Sequence, residues 1–450
     1  MLIKNGLVFN PTTNFMQQAD ILIKDGKIVK IESNINDSSE NIIDASGKWV
    51  VPGLIDMHTH FRDPGFEHKE DITSGCNAAL KGGFTTVCCM PNTNPVIDNK
   101  CIVTYINSIS EKTGLNLLIA GAITKGLKGE SLANIGEMAF LPNVCGFSDD
   151  GKTVMNSKLM KTAMNYIKPF GLPIFSHTED HSFSGGAMNA GQNAQLFGIK
   201  GIGREAEEII VARDIILARE TGCKLHLSHI STKGSLDLIH MAKTVWGMTN
   251  LTAETAPHYF SLDDSLLGDY DTNKKMNPPL RTKSDVEAIK EGLKSGIIDV
   301  IATDHAPHHY DEKNVEFENA PFGVVGLETS FAISYTNLVR TGILTPLELI
   351  EKMSTRPAQI LNQDSGKIEV GSVADITIID TEKAYKINKS EFLSKGKNTP
   401  FDGMEVYGNI EYTIVNGQIF YQSANTYTNR KYLFKLSNKT ELPLSKKLCV

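Results

Sequence analysis

Hydrophobic and polar positions fall into three zones along the chain. Residues 2–10 (LIKNGLVFN), 19–32 (ADILIKDGKIVKIE) and 41–49 (NIIDASGKW) alternate or cluster apolar residues as short strands do. Asn5-Gly6, Asp25-Gly26 and Ser46-Gly47 punctuate them as turn dipeptides. The same texture returns at 373–387 and 406–422, the latter with Asn416-Gly417 as a hairpin signal. Between these zones, apolar runs alternate with stretches of helical period. The runs are VVPGLIDMHTH from Val50, TTVCCM, LNLLIAGAIT, VCGFSDD, PIFSHTED, KLHLSHI, LTAETAPHYF and DVIATDHAPH. Helices are expected over 69–82, 98–113, 157–170, 203–221, 233–245, 284–295 and 326–341.

Eight strand units alternating with helices predict a (β/α)8 barrel. An open doubly wound sheet would show a glycine-rich phosphate turn after its first strand, and none is there. The expected organisation is an α/β chain. Residues 51–364 form the barrel, 1–50 and 365–423 form a small β-sheet domain built from both termini, and 424–450 form a polar, Lys-containing, loosely ordered tail.

Composition narrows the class. At 41% hydrophobic and 22% charged residues the 450-residue chain is ordinary for a globular protein. A net charge of −7 offers no basic footprint for nucleic acid or an anionic membrane. No apolar stretch is long enough to span a bilayer, and no signal peptide opens the chain. Seven scattered cysteines make neither a disulfide framework nor a CxxC pair, so reduced thiols in a cytoplasmic protein are expected.

Candidate chemistry collects at the ends of the predicted strands, where barrels carry their active sites. In Asp56-Met57-His58-Thr59-His60-Phe61-Arg62, strand alternation puts His58, His60 and Arg62 on one face. Two imidazoles so placed can converge on a metal, and Arg62 can hold a carboxylate in bidentate fashion. Further along lie Asn92, Asp149-Asp150, His177, His229, His258, and Asp304-His305 with His308. Taken singly, His226 or His258 reads as a hydrogen-bonded structural residue, Asp149-Asp150-Gly151 as a turn and Asp304 as a cap. Four His and two Asp at five strand ends instead read as Zn²⁺ ligands. Six ligands exceed one tetrahedral site, so two ions are expected. His58, His60 and Asp304 would hold one, His177 and His229 the other, with one of Asp149 or Asp150 bridging. Alternation places those two aspartates on opposite faces and does not choose between them.

DMHTHFRDPG, MPNTNP at 90–95, GFSDDG, FSHTED, HLSHIST, KMNPPLR and IATDHAPHH together resemble the dihydroorotases of the amidohydrolase superfamily, in that family's order. The resemblance covers roughly residues 1–423. It is closest to the bacterial type in which an aspartate replaces a carboxylated lysine bridging the metals, and it implies Asp150 as that bridge. It further implies that Arg62, Asn92, Asn277 and His308 contact substrate, that Phe322 and Gly323 of the APFG segment close over the ring, and that Asp304 is the general acid/base. The implied reaction is the reversible cyclisation of N-carbamoyl-L-aspartate to L-dihydroorotate, with a small molecule as the only required partner. A homo-oligomer and association with a transcarbamoylase stay open. A hydantoinase or allantoinase is the nearest alternative, expected to carry a bridging lysine and to lack the substrate carboxylate that Arg62 suits. A non-catalytic transcarbamoylase partner would show damaged ligands, and none is missing. Residues 309–322 read equally as a lid or as a surface connection.

Overall fold

A computed structural model describes residues 1–37 and 41–423; the expected tail 424–450 lies outside them. Eight parallel strands run in chain order around a barrel: β1 (Leu54–Thr59), β2 (Phe84–Cys89), β3 (Asn116–Ala122), β4 (Val144–Ser148), β5 (Ile174–Ser176), β6 (Leu225–Leu227), β7 (Leu251–Thr255) and β8 (Val300–Ile301). The ring closes just beyond β8, where Thr59 bridges His305 in parallel and His60 N donates to His305 O at 2.8 Å. Ile55, Met57, Cys88, Leu118, Ala120, Cys145, Phe175, Val300 and Ala302 form a buried apolar cluster in the interior. Cys88 and Cys145 are free thiols within it.

The second sheet joins both ends of the chain. Trp49–Pro52 pairs in parallel with Leu2–Asn10 and antiparallel with Ile376–Lys386, so the N-terminal strands continue into the C-terminal ones. Ile3, Val8, Ile21, Val50, Ile376, Ile378 and Ile414 form its own buried layer. Asp25-Gly26 and Asn416-Gly417 turn with positive φ at both residues, as two-residue hairpins require.

Three expectations need correcting. The run from Val50 to His60 is two strands in two sheets, broken at Gly53. Pro52 has no N–H to continue a ladder, and a Cβ on Gly53 would fall 2.2 Å from Thr85 Oγ1. Asn5-Gly6 is a bulge inside Leu2–Asn10, with Asn5 at φ 60°, rather than a turn. The helix expected at 326–341 starts at Ser330 and widens into a π turn over Tyr335–Val339. Helices at Pro346–Ile350 and Arg356–Ile360 had no expectation at all. Ala358 and Leu361 from that last stretch pack with the barrel-interior cluster, while Gln359 is exposed; five residues are too few to show a period.

Candidate metal centre

The strands converge their polar ends on one buried carboxylate. Asp150 Oδ1 lies 3.2 Å from His58 Nε2, 3.3 Å from His177 Nδ1 and 3.8 Å from His229 Nε2, while its Oδ2 lies 3.4 Å from His60 Nε2. Asp304 Oδ1 stands 3.2 Å from His60 Nε2 and 3.6 Å from His58 Nε2. His58–His60–Asp150 and Asp150–His177–His229 are thus two donor triplets sharing one residue.

Asp149 points elsewhere. Its carboxylate accepts from the backbone of Ile123 and Thr124 and from the Thr124 hydroxyl, tying β4 to the end of β3. Burial raises its carboxyl to about 6. Alternation across the strand end separates the two neighbours, as expected.

Hydrogen bonds on the far side of three rings decide which nitrogen faces the centre. His58 Nδ1 lies 2.7 Å from Glu254 Oε1, His60 Nδ1 2.9 Å from Asn92 Oδ1, and His177 Nε2 3.2 Å from Glu179 Oε2. Each of these oxygens accepts, so each of these nitrogens carries a proton, and when the ring is neutral the inward nitrogen is a bare lone pair. His177 Nδ1 and His229 Nε2 then approach to 2.8 Å, lone pair toward imidazole nitrogen. His58 Nε2 and Asp150 Oδ1 are buried without any hydrogen bond. Such a cluster of acceptors is repulsive by itself and fits a cation at its middle. The fields agree. Burial opposes charge on His58 and Asp150, but each outweighs it for the other. His58 is held well above the ordinary imidazole value and Asp150 well below the carboxylate range. Asp304 is likewise held low, burial being overcome by His58 and His60.

Strain marks the same ends. Arg62, His229 and Asp304 are non-glycine residues at φ 63°, 39° and 49°, a left-handed region that costs energy unless the surroundings enforce it. For Arg62 this overturns the parity argument. The strand stops at Thr59, and Arg62 reaches the centre by a backbone reversal. Its Nε donates to Pro307 O at 3.3 Å, and it has no ion-pair partner among the described residues.

The other candidates lie on two adjoining loops. Asn277 Nδ2 donates to Glu179 Oε2 at 2.9 Å, and His308 Nε2 to Phe322 O at 2.9 Å. Gly323, at φ 134°, packs so that a Cβ would sit 2.9 Å from Ala306 and 3.1 Å from His308 Nε2. Two buried lysines fasten these loops together. Lys275 Nζ donates to Phe317 O and Glu318 O, and Lys313 Nζ to Thr272 O, Lys275 O and Pro321 O. His258 is not at a strand end but in the short helix Pro257–Ser261, and His305 is held by Glu70 away from the cluster. Glu254 and Glu179 escaped the sequence reading. The available signal was weak: a lone charge in LTAET, and the Glu179-Asp180 pair at the end of PIFSHTED.

The amidohydrolase family profile matches residues 49–420. The chain belongs to that family. It is 50% identical over 419 residues to a dihydroorotase of Ruminiclostridium cellulolyticum, covering 93% of this chain and 97% of the relative. With a dihydroorotase of a Thermoanaerobacter species it shares 51% over 426 residues, 94% and 97% of the two chains. Among solved structures, the L-hydantoinase (dihydropyrimidinase) of Arthrobacter aurescens superposes with a TM-score of 0.81 at 26% identity, over 93% of this chain and 95% of that one. The family is metal-dependent, in keeping with the two donor triplets. Among the described residues no helix is long and apolar enough to cross a membrane.

Proposed function

We propose that this chain is a dihydroorotase, interconverting N-carbamoyl-L-aspartate and L-dihydroorotate plus water in pyrimidine synthesis. The observation that carries the assignment is identity near 50% to dihydroorotases across more than nine-tenths of both chains. We take the cation to be Zn²⁺, two per chain, because imidazole and carboxylate donors suit it and two triplets share Asp150. His58, His60 and Asp304 would hold one ion, His177 and His229 the other, with Asp150 between them. Zn²⁺ there would lower the pKa of a water toward neutrality and polarise a carbonyl oxygen.

The protein's own groups do the rest. Arg62, which has no ion-pair partner among the described residues, takes the substrate α-carboxylate. Asn92 fixes the His60 ring and sits beside that carboxylate. Asp304 is ionised at neutral pH and so begins hydrolysis as a base. It accepts the proton of the attacking water and returns it to the ring nitrogen as the C–N bond breaks. In cyclisation Asp304 takes the proton of the ureido nitrogen as that nitrogen attacks the β-carboxyl carbon, and water leaves. Asn277, His308, Phe322 and Gly323 line the far wall and orient the ring.

A hydantoinase reading draws on the solved neighbours, and Arg62 separates the two. Losing one partner of a buried guanidinium–carboxylate pair costs ~2–5 kcal/mol, on the order of 30- to 5,000-fold in kcat/KM. Arg62→Ala should therefore lower kcat/KM for dihydroorotate by that factor at matched zinc content and leave any turnover of neutral hydantoin nearly unchanged. Equal losses on both substrates would make Arg62 structural and remove the carboxylate argument.

A further inference from the structure

We infer that Glu254, with His226 behind it, is a positioning residue that sets the tautomer of His58 from inside the barrel. The inference rests on the reading of the histidine–aspartate cluster as a metal centre. Glu254 projects from β7 into the interior, fully buried, and its two oxygens are used separately. Oε1 accepts from His58 Nδ1 at 2.7 Å, and Oε2 accepts from His226 Nε2 at 3.0 Å. His226, on β6, is fixed in turn by Thr252 Oγ1, 2.8 Å from its Nδ1, and its ring packs edge-on against Phe175 at 5.8 Å. A line of hydrogen bonds thus runs Thr252–His226–Glu254–His58 through three strands, walled by the apolar interior.

Because the carboxylate can only accept, a neutral His58 must place its proton on Nδ1, and it is then Nε2 whose lone pair faces Asp150 and Asp304, where a cation would sit. The four rings that face the centre differ in this support, His229 having no hydrogen bond on its Nδ1. His60 leans on a neutral amide and His177 on the half-buried Glu179, whereas His58 alone is held by a buried carboxylate with a second histidine bonded to it. Partners of this kind hold ring orientation and raise ligand basicity, and their loss costs 10- to 100-fold in metal affinity.

The test uses full-length protein stripped of metal, with Zn²⁺ affinity read by competition against a chromophoric chelator and the melting temperature of the metal-free form read in parallel. Wild type should take two equivalents. Glu254→Gln, nearly isosteric, should weaken one equivalent by about 10- to 100-fold and spare the other. His226→Gln, one bond further away, should weaken the same equivalent by less. Wild-type affinity for both equivalents in Glu254→Gln overturns the inference, whatever its melting temperature. Equal weakening of both does so too, since that marks a general loosening of the barrel. If wild type itself binds no Zn²⁺, the metal reading fails first and this one falls with it.

Discussion

At the scale of single residues, adjacent positions have separate tasks. Asp149 and Asp150 differ by one step of a strand, yet one braces backbone and the other sits among four imidazoles. Asp150→Ala should lose zinc and activity together. Asp149→Ala should retain most zinc and lower the melting temperature, because stranded buried donors cost roughly 1–3 kcal/mol each. Metal analysis and thermal unfolding of both variants decide it, and the reverse pattern would exchange their roles. Asp304→Asn should cut kcat by ~10²–10⁴, the span of general acid–base catalysis. A variant with full zinc and near-normal kcat would remove Asp304 from proton transfer. His58, His60, Asp150, His177, His229 and Asp304 were legible because each ends an apolar run with a residue that such a run does not need. Glu254 and Glu179 were not, since their partners come from other strands and no local pattern announces them.

At the scale of elements, segment 309–322 is fastened rather than free. Its carbonyls accept from Lys275 and Lys313, two buried ammonium groups without carboxylate partners on these loops. Burial lowers Lys313 to about 7 and Lys275 to about 8, from an ordinary value of 10.5. Between pH 7 and 10 the unfolded chain holds the proton that folded Lys313 has released, so this group adds stability as pH rises. Lys313→Met has nothing to titrate there. The melting temperature of the variant minus that of wild type should therefore fall from pH 7 to pH 10, and a flat difference would mean that Lys313 is not depressed. The helices expected from period 3.6 formed within a few residues of their expected ends, except the one starting at Ser330. Arg62 shows the limit of such reasoning: it lies beside the cluster, but not by alternation, since the strand stops three residues earlier.

For the whole molecule, metal binding should couple to stability, because the donors come from five strands and meet only in the folded barrel. At a free Zn²⁺ concentration 100-fold above Kd, each site adds about 2.7 kcal/mol, or about 3 °C for a chain of this length. Stripping zinc should lower the melting temperature by several degrees and abolish turnover, and re-addition should restore both. Full turnover in demonstrably metal-free protein would sink the mechanism. Local sequence by itself determined the alternation of strands and helices, the hairpins at Asp25-Gly26 and Asn416-Gly417, and which strand ends carry the clustered His and Asp donors, because these follow from side-chain period and turn chemistry along a few residues. Only the tertiary structure decided that Val50 and Leu54 belong to different sheets, that Asp150 and not Asp149 faces the histidines by geometry, and which ring nitrogen of His58 is bare. Those outcomes depend on Asp375, whose carbonyl accepts from Gly53 N at 2.9 Å between the two strands, on Thr124 against Asp149 and on Glu254 against His58, each brought from elsewhere in the chain by closure of the sheet and the barrel.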